Sequence, residues 1–93
     1  MPAKKFNSVW DALENTRGAA ANMKVRAEIM LALQERVKRQ PGTQGEKARQ
    51  LGITQPRLND LLRGRIDKFS LDALVNLASL AGLQVDLRVR RAA

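Results

Sequence analysis

The chain has 93 residues, of which 17 are Lys or Arg and 9 are Asp or Glu, giving a net charge of +8; 44% are apolar, 3% aromatic, and there is no Cys or His. That length fits one domain with a core of Leu, Val, Ile, Ala and Met. Without Cys and His, disulfides, thiol nucleophiles, imidazole bases and the usual structural zinc sites are excluded, so no metal and no cofactor is expected. The cationic excess attracts polyanions, with nucleic acid the first candidate and an anionic membrane surface the second. No apolar run approaches the roughly 20 residues needed to span a bilayer. Residues 1–7 contain no secretory-type apolar stretch, so a cytoplasmic location is expected.

Residues 1–7 (MPAKKFN) are polar, basic and aperiodic, and read as a flexible arm. Ser8 with Asp11 resembles a capping box opening a short helix over residues 9–14, with Val9, Trp10 and Leu13 on its apolar side. Residues 15–18 are expected to break it. A longer helix is expected over residues 19–40, where Val25, Ile29, Leu33 and Val37 recur at helical spacing and Lys38 and Arg39 occupy the last turn. Pro41 and Gly42 end it.

Three short helices follow. Thr43 with Glu46 forms a second capping box, and Gly52 stops that helix after residue 51. Thr54 caps the next, with Pro56 tolerated in its first turn and Gly64 at its end. Ser70 caps the last, which runs to about residue 81; Phe69 and Leu74 are spaced for a hydrophobic staple, and Gly82 suits a left-handed stop. The tail changes period. Leu83, Val85, Leu87 and Val89 alternate with Gln84, Asp86, Arg88 and Arg90, as in a half-buried strand. No other segment reads as its partner, so it is expected to pair antiparallel with the same strand of a second chain; the alternative is a tail that folds back on its own domain or stays disordered, with Arg88, Arg90 and Arg91 touching phosphates.

The informative stretch is QGEKARQLGITQPRLNDLLR, residues 44–63. Ala48 is a small residue where two helices would cross, Gly52 permits positive φ in the turn, and Leu51, Ile53, Leu58 and Leu61 are spaced to face a core. This is the helix-turn-helix pattern. It leaves the start of the second helix, Thr54, Gln55, Pro56, Arg57 and Asn59, facing outward. Gln and Asn suit adenine edges and Arg suits guanine. Thr43 and Gln44 open the preceding helix, where backbone amides can hold a phosphate. Arg63, Arg65 and Lys68 follow the reading helix as candidates for backbone contacts. An αα-hairpin that only packs is the competing reading. The basic charge and the polar start of the second helix favour DNA binding over it.

The run TQGEKARQLGITQPRLNDLLRGRIDKFSLDALVNLASLAGLQVDLRV resembles the Xre/Cro-type regulators, and specifically their HigA-like antitoxin branch. ITQPRLNDLLRG and FSLDALVNLA are its most specific parts, and FNSVWDAL and MKVRAEIMLAL also fit. The resemblance implies an all-α domain that dimerises on palindromic operators in double-stranded DNA. It also implies a transcriptional repressor that binds and neutralises a small RNA-cleaving toxin while regulating its own operon. Lys47 departs from the family's small or apolar residue, although its stem can lie along the core. Gly45 departs too, weakening its helix by up to about 1 kcal/mol relative to Ala.

The expected architecture is therefore an all-α, five-helix helix-turn-helix domain over residues 8–82, with the reading helix at about 54–62. A dimerisation strand follows over residues 83–91. A stand-alone Xre-type regulator without a toxin is the alternative, and a basic RNA-associated module the more remote one. The latter lacks an aromatic stacking platform, since Phe6, Trp10 and Phe69 are scattered. No enzyme is expected: Glu28 and Glu35, seven residues apart, read as solvated helix carboxylates.

Overall fold

The computed structural model describes residues 9–92, with side chains from residue 16 onward. These residues form α1 (Val9–Arg39), α2 (Gln44–Leu51), α3 (Gln55–Leu62), a 3-10 turn (Ile66–Lys68) and α4 (Leu71–Leu80). The arm expected over residues 1–7, the Ser8–Asp11 capping box and the side chains of Val9, Trp10 and Leu13 lie outside what is described.

The described residues thus contain four α-helices rather than five. The break expected at residues 15–18 does not occur, and the two expected helices are one helix of 31 residues, about 46 Å long. Gly18 is the weakest helix former in the supposed break, with Asn15 and Thr16 milder ones; no Pro is present to remove a hydrogen bond or clash with the preceding turn. Ending and restarting the helix leaves backbone groups unpaired at both new ends and requires a second nucleation, whereas one internal glycine costs about 1 kcal/mol. Among the described side chains of α1, packing begins at Val25. Every side chain from Arg17 to Lys24 is exposed, whereas Ile29, Met30, Leu33 and Val37 are buried.

The core joins this α1 face to Ala48 and Leu51 of α2, Leu58 and Leu61 of α3, Phe69, and Leu74, Leu77 and Ala78 of α4. Leu33, Val37, Leu58, Leu61 and Leu74 have no exposed surface. The most extensive packing is between α1 and α4. Phe69 and Leu74 are both buried at the staple positions around the Ser70 cap, whose Oγ accepts from the Ala73 amide at 3.1 Å.

Polar side chains of α1 complete the ends of the other elements. Gln34 Nε2 donates to the Leu61 and Leu62 carbonyls at 2.9 and 3.4 Å, closing the end of α3. Arg36 Nε donates to the Ala81 carbonyl at 2.9 Å, placing a cation at the negative end of α4. Arg26 Nη1 donates to the Ile66 and Phe69 carbonyls at 3.3 and 3.1 Å, holding the connector. Leu61 and Ile66 also accept from the Gly64 and Phe69 amides, so the long side chains of α1 add second donors there and tie the element ends to α1.

After α4, Gly82 adopts φ 85°, and the Leu83 and Gly82 amides donate to the Ala78 and Ser79 carbonyls, a Schellman ending. Leu83 is half-buried against the core. The strand expected over residues 83–91 is not formed: residues 83–92 carry no regular structure. Alternation assigns the two faces of a strand, but a ladder requires a partner, and the rest of the described chain is helical. Leu87 and Val89 are consequently 78% and 84% exposed, and Val85 is exposed with them.

Candidate nucleic-acid interface

The site is built by α2, α3 and the turn between them. The Thr43–Glu46 capping box is present in both directions. Thr43 Oγ1 accepts from the Glu46 amide at 3.1 Å, and Glu46 Oε1 accepts from the Thr43 amide at 2.8 Å. At the far end of α2, Gly52 takes φ 69° and the Ile53 amide donates to the Ala48 carbonyl at 3.0 Å. A side chain with a Cβ is strained in that left-handed conformation, so glycine permits the tight reversal. Ile53 then turns inward against the core, and Thr54 begins the next helix at once. Ala48 is buried as the small residue expected there, and Lys47 is half-buried.

Thr54 Oγ1 accepts from the Arg57 amide at 3.2 Å, and Pro56 stands in the first turn of α3, where its missing N–H leaves no internal bond unmade. Leu58 and Leu61 anchor α3 from beneath. Thr43, Gln44, Thr54, Gln55, Pro56 and Asn59 are all exposed, so the two helix starts present one polar surface. Gln55 reaches back toward α2, and its Nε2 occupies the space beside Gly45.

The cationic candidates divide. Arg63 is exposed at the end of α3. Arg65 and Lys68 both approach Asp60, at 3.8 and 3.9 Å, so one carboxylate gathers two cations along the edge of the reading helix. Arg57 is half-buried and points to the connector: Nη1 donates to the Lys68 carbonyl at 2.8 Å, and the guanidinium carbon lies 4.1 Å from the Phe69 ring centroid. Its expected place among the outward-facing groups is therefore shared with an intramolecular contact. Among the residues expected to dimerise, Leu83 packs on its own domain, whereas Val85, Leu87 and Val89 stay exposed and away from the site.

Sequence reasoning passed over Asp60, whose spacing to Arg65 and Lys68 signals nothing until the chain turns at Gly64. It registered Gly45 as a weakness of α2 and not as room for a neighbouring side chain. Arg26, Gln34 and Arg36 were also missed, because their carbonyl partners lie 27 to 45 residues away.

Two short capped helices joined at a left-handed glycine, with the start of the second exposed, define a helix-turn-helix unit inside an all-α domain. The chain matches the family described as "Helix-turn-helix domain" over residues 13–90, and it belongs to that family. Its class is that of DNA-binding helix-turn-helix regulators. No curated protein matches the chain. No helix among the described residues is long and apolar enough to cross a membrane.

Proposed function

We propose that the protein is a non-catalytic, sequence-specific transcriptional repressor in the cytoplasm that binds a palindromic operator as a homodimer. The observation that carries this reading is the exposed start of α3, where Gln55 and Asn59 offer amide side chains suited to adenine edges. Thr43 and Gln44 lie beside them for the phosphate backbone, and Arg63, Arg65 and Lys68 flank them. The second copy is supported by the alternating tail, whose exposed Val85, Leu87 and Val89 acquire a ladder and a covered face when two tails pair antiparallel. A two-fold dimer presents two copies of α3 to successive major grooves, about 34 Å apart. Selection from a library of randomised duplexes tests the proposal. An inverted repeat with half-sites about one helical turn apart is expected; selected duplexes with no common sequence overturn it.

Within this reading the repressor acts as an antitoxin for a small RNA-cleaving toxin. Support comes from the resemblance carried by ITQPRLNDLLRG and FSLDALVNLA, and from the exposed stretch of α1 between Arg17 and Lys24, outside the helix-turn-helix unit. Co-expression with the product of the adjacent gene should yield a stable complex and rescue growth. Rescue that survives deletion of residues 1–24 rejects this part of α1 as the toxin surface.

A further inference from the structure

Gly45 is the second residue of α2 and is helical, whereas the glycines with positive φ are 42, 52, 64 and 82. Its conformational freedom is therefore unused, and glycine is one of the poorest residues for a helix. Space accounts for it. A Cβ at this position would lie 2.6 Å from Gln55 Nε2, closer than side-chain atoms approach, but 3.8 Å from Gln55 Cδ and from Thr43 Oγ1, which is ordinary contact. The volume that any other residue would fill is occupied by the carboxamide of the first residue of α3.

We infer that Gly45 is a specificity-determining positioning residue: by lacking a side chain it lets Gln55 fold toward the start of α2, and so sets which base edge that carboxamide reaches. The inference rests on the repressor reading above. A methyl at position 45 meets only the free end of a flexible side chain, so both helices, their caps and the core can stay as they are while Gln55 swings away. Gln55 is exposed and nothing buried holds it elsewhere. A carboxamide that pairs with a base edge in two places tolerates little displacement, so this swing alters recognition at one base pair in each half-site.

The test compares the parent protein, Gly45→Ala, Gln55→Ala and the double variant. Gly45→Ala is expected to fold with an unchanged or higher Tm and to shift the side-chain amide resonances of Gln55 in the free protein. On the selected operator and its single-base-pair variants, it should change preference by about 5-fold or more at the pair where Gln55→Ala also acts, and nowhere else. In the Gln55→Ala background it should change nothing at that pair. Gly45→Ser, which adds the same Cβ, should reproduce the change. A parent preference that Gly45→Ala leaves intact, or an equal loss on every duplex, overturns the inference alone. A parent protein with no base preference overturns the repressor reading and the specificity role together.

Discussion

The Arg57 guanidinium lies 4.1 Å from the centroid of the Phe69 ring while its Nη1 donates to the Lys68 carbonyl at 2.8 Å. One side chain thus fastens the reading helix to the connector that leads into α4. Arg57→Ala is expected to lower stability by about 1–2 kcal/mol, combining a cation–π contact with one modest hydrogen bond. Arg57→Lys keeps the charge but loses the planar stack and should recover only part of the loss. Urea unfolding measures both. An Arg57→Ala protein with the parent's midpoint and slope refutes a structural role for the contact.

Gln34 provides a second, independent handle. Gln34→Ala removes the side-chain donor from the part-buried carbonyls of Leu61, which keeps the Gly64 amide at 3.0 Å, and Leu62, at a cost of about 0.5–1.5 kcal/mol. Thermal unfolding should report a Tm lower by roughly 4–8 °C for each kcal/mol lost. Gln34→Leu fills similar volume without a donor, so it should not rescue. Full rescue by leucine would assign Gln34 a packing role instead.

Duplex binding should weaken steeply with salt, because cations that neutralise phosphates release counterions. Asp60 holds Arg65 and Lys68 close to its own carboxylate, so Asp60→Asn should release both toward DNA. The expected result is a few-fold gain in affinity at low salt on specific and random duplexes alike, with a steeper salt slope. Fluorescence anisotropy across roughly 50–200 mM salt distinguishes the outcomes. Affinity independent of salt argues against a phosphate-contacting surface, and a gain restricted to the operator argues that Asp60 reads bases.

Replacing Val85 and Leu87 with Asp places charges on the face proposed to be covered by a second copy. Sedimentation should show a monomer, with a large loss of operator affinity and little change in helix content, since both residues are exposed in the single chain. A variant that remains dimeric locates the dimer interface elsewhere and leaves the assignment of α2 and α3 untouched.

What sequence alone disclosed was decided by range. The caps act across three residues, from Thr43 to Glu46, Thr54 to the Arg57 amide and Ser70 to the Ala73 amide, and the Thr43–Glu46 pair and the cap residues Thr54 and Ser70 announce the helix starts. Gly52 and Gly82 mark helix ends for the same local reason. The supposed break at residues 15–18 failed because a weak helix former is only a penalty, and nothing there offered the chain a better alternative. The alternation after Gly82 encodes which side chains share a face, but not whether a neighbour is present to make a strand. Beyond that range the signal is lost. Arg57 finds its acceptor 11 residues on, Gly45 is explained only by a side chain in the next helix, and Arg26 bonds a carbonyl 43 residues away.

The ties made by α1 also impose an order of assembly as the chain is synthesised. A nascent chain ending at Gly64 already contains the whole helix-turn-helix pair, together with Gln34 to close α3. It still lacks α4, the helix against which α1 packs most extensively, and the Ala81 carbonyl that Arg36 reaches across 45 residues. The reading unit therefore emerges after α1 but before α4, the other half of the scaffold that fixes it. Native closure waits for α4 to leave the ribosome, and until then the part of the apolar face of α1 that α4 covers stands exposed.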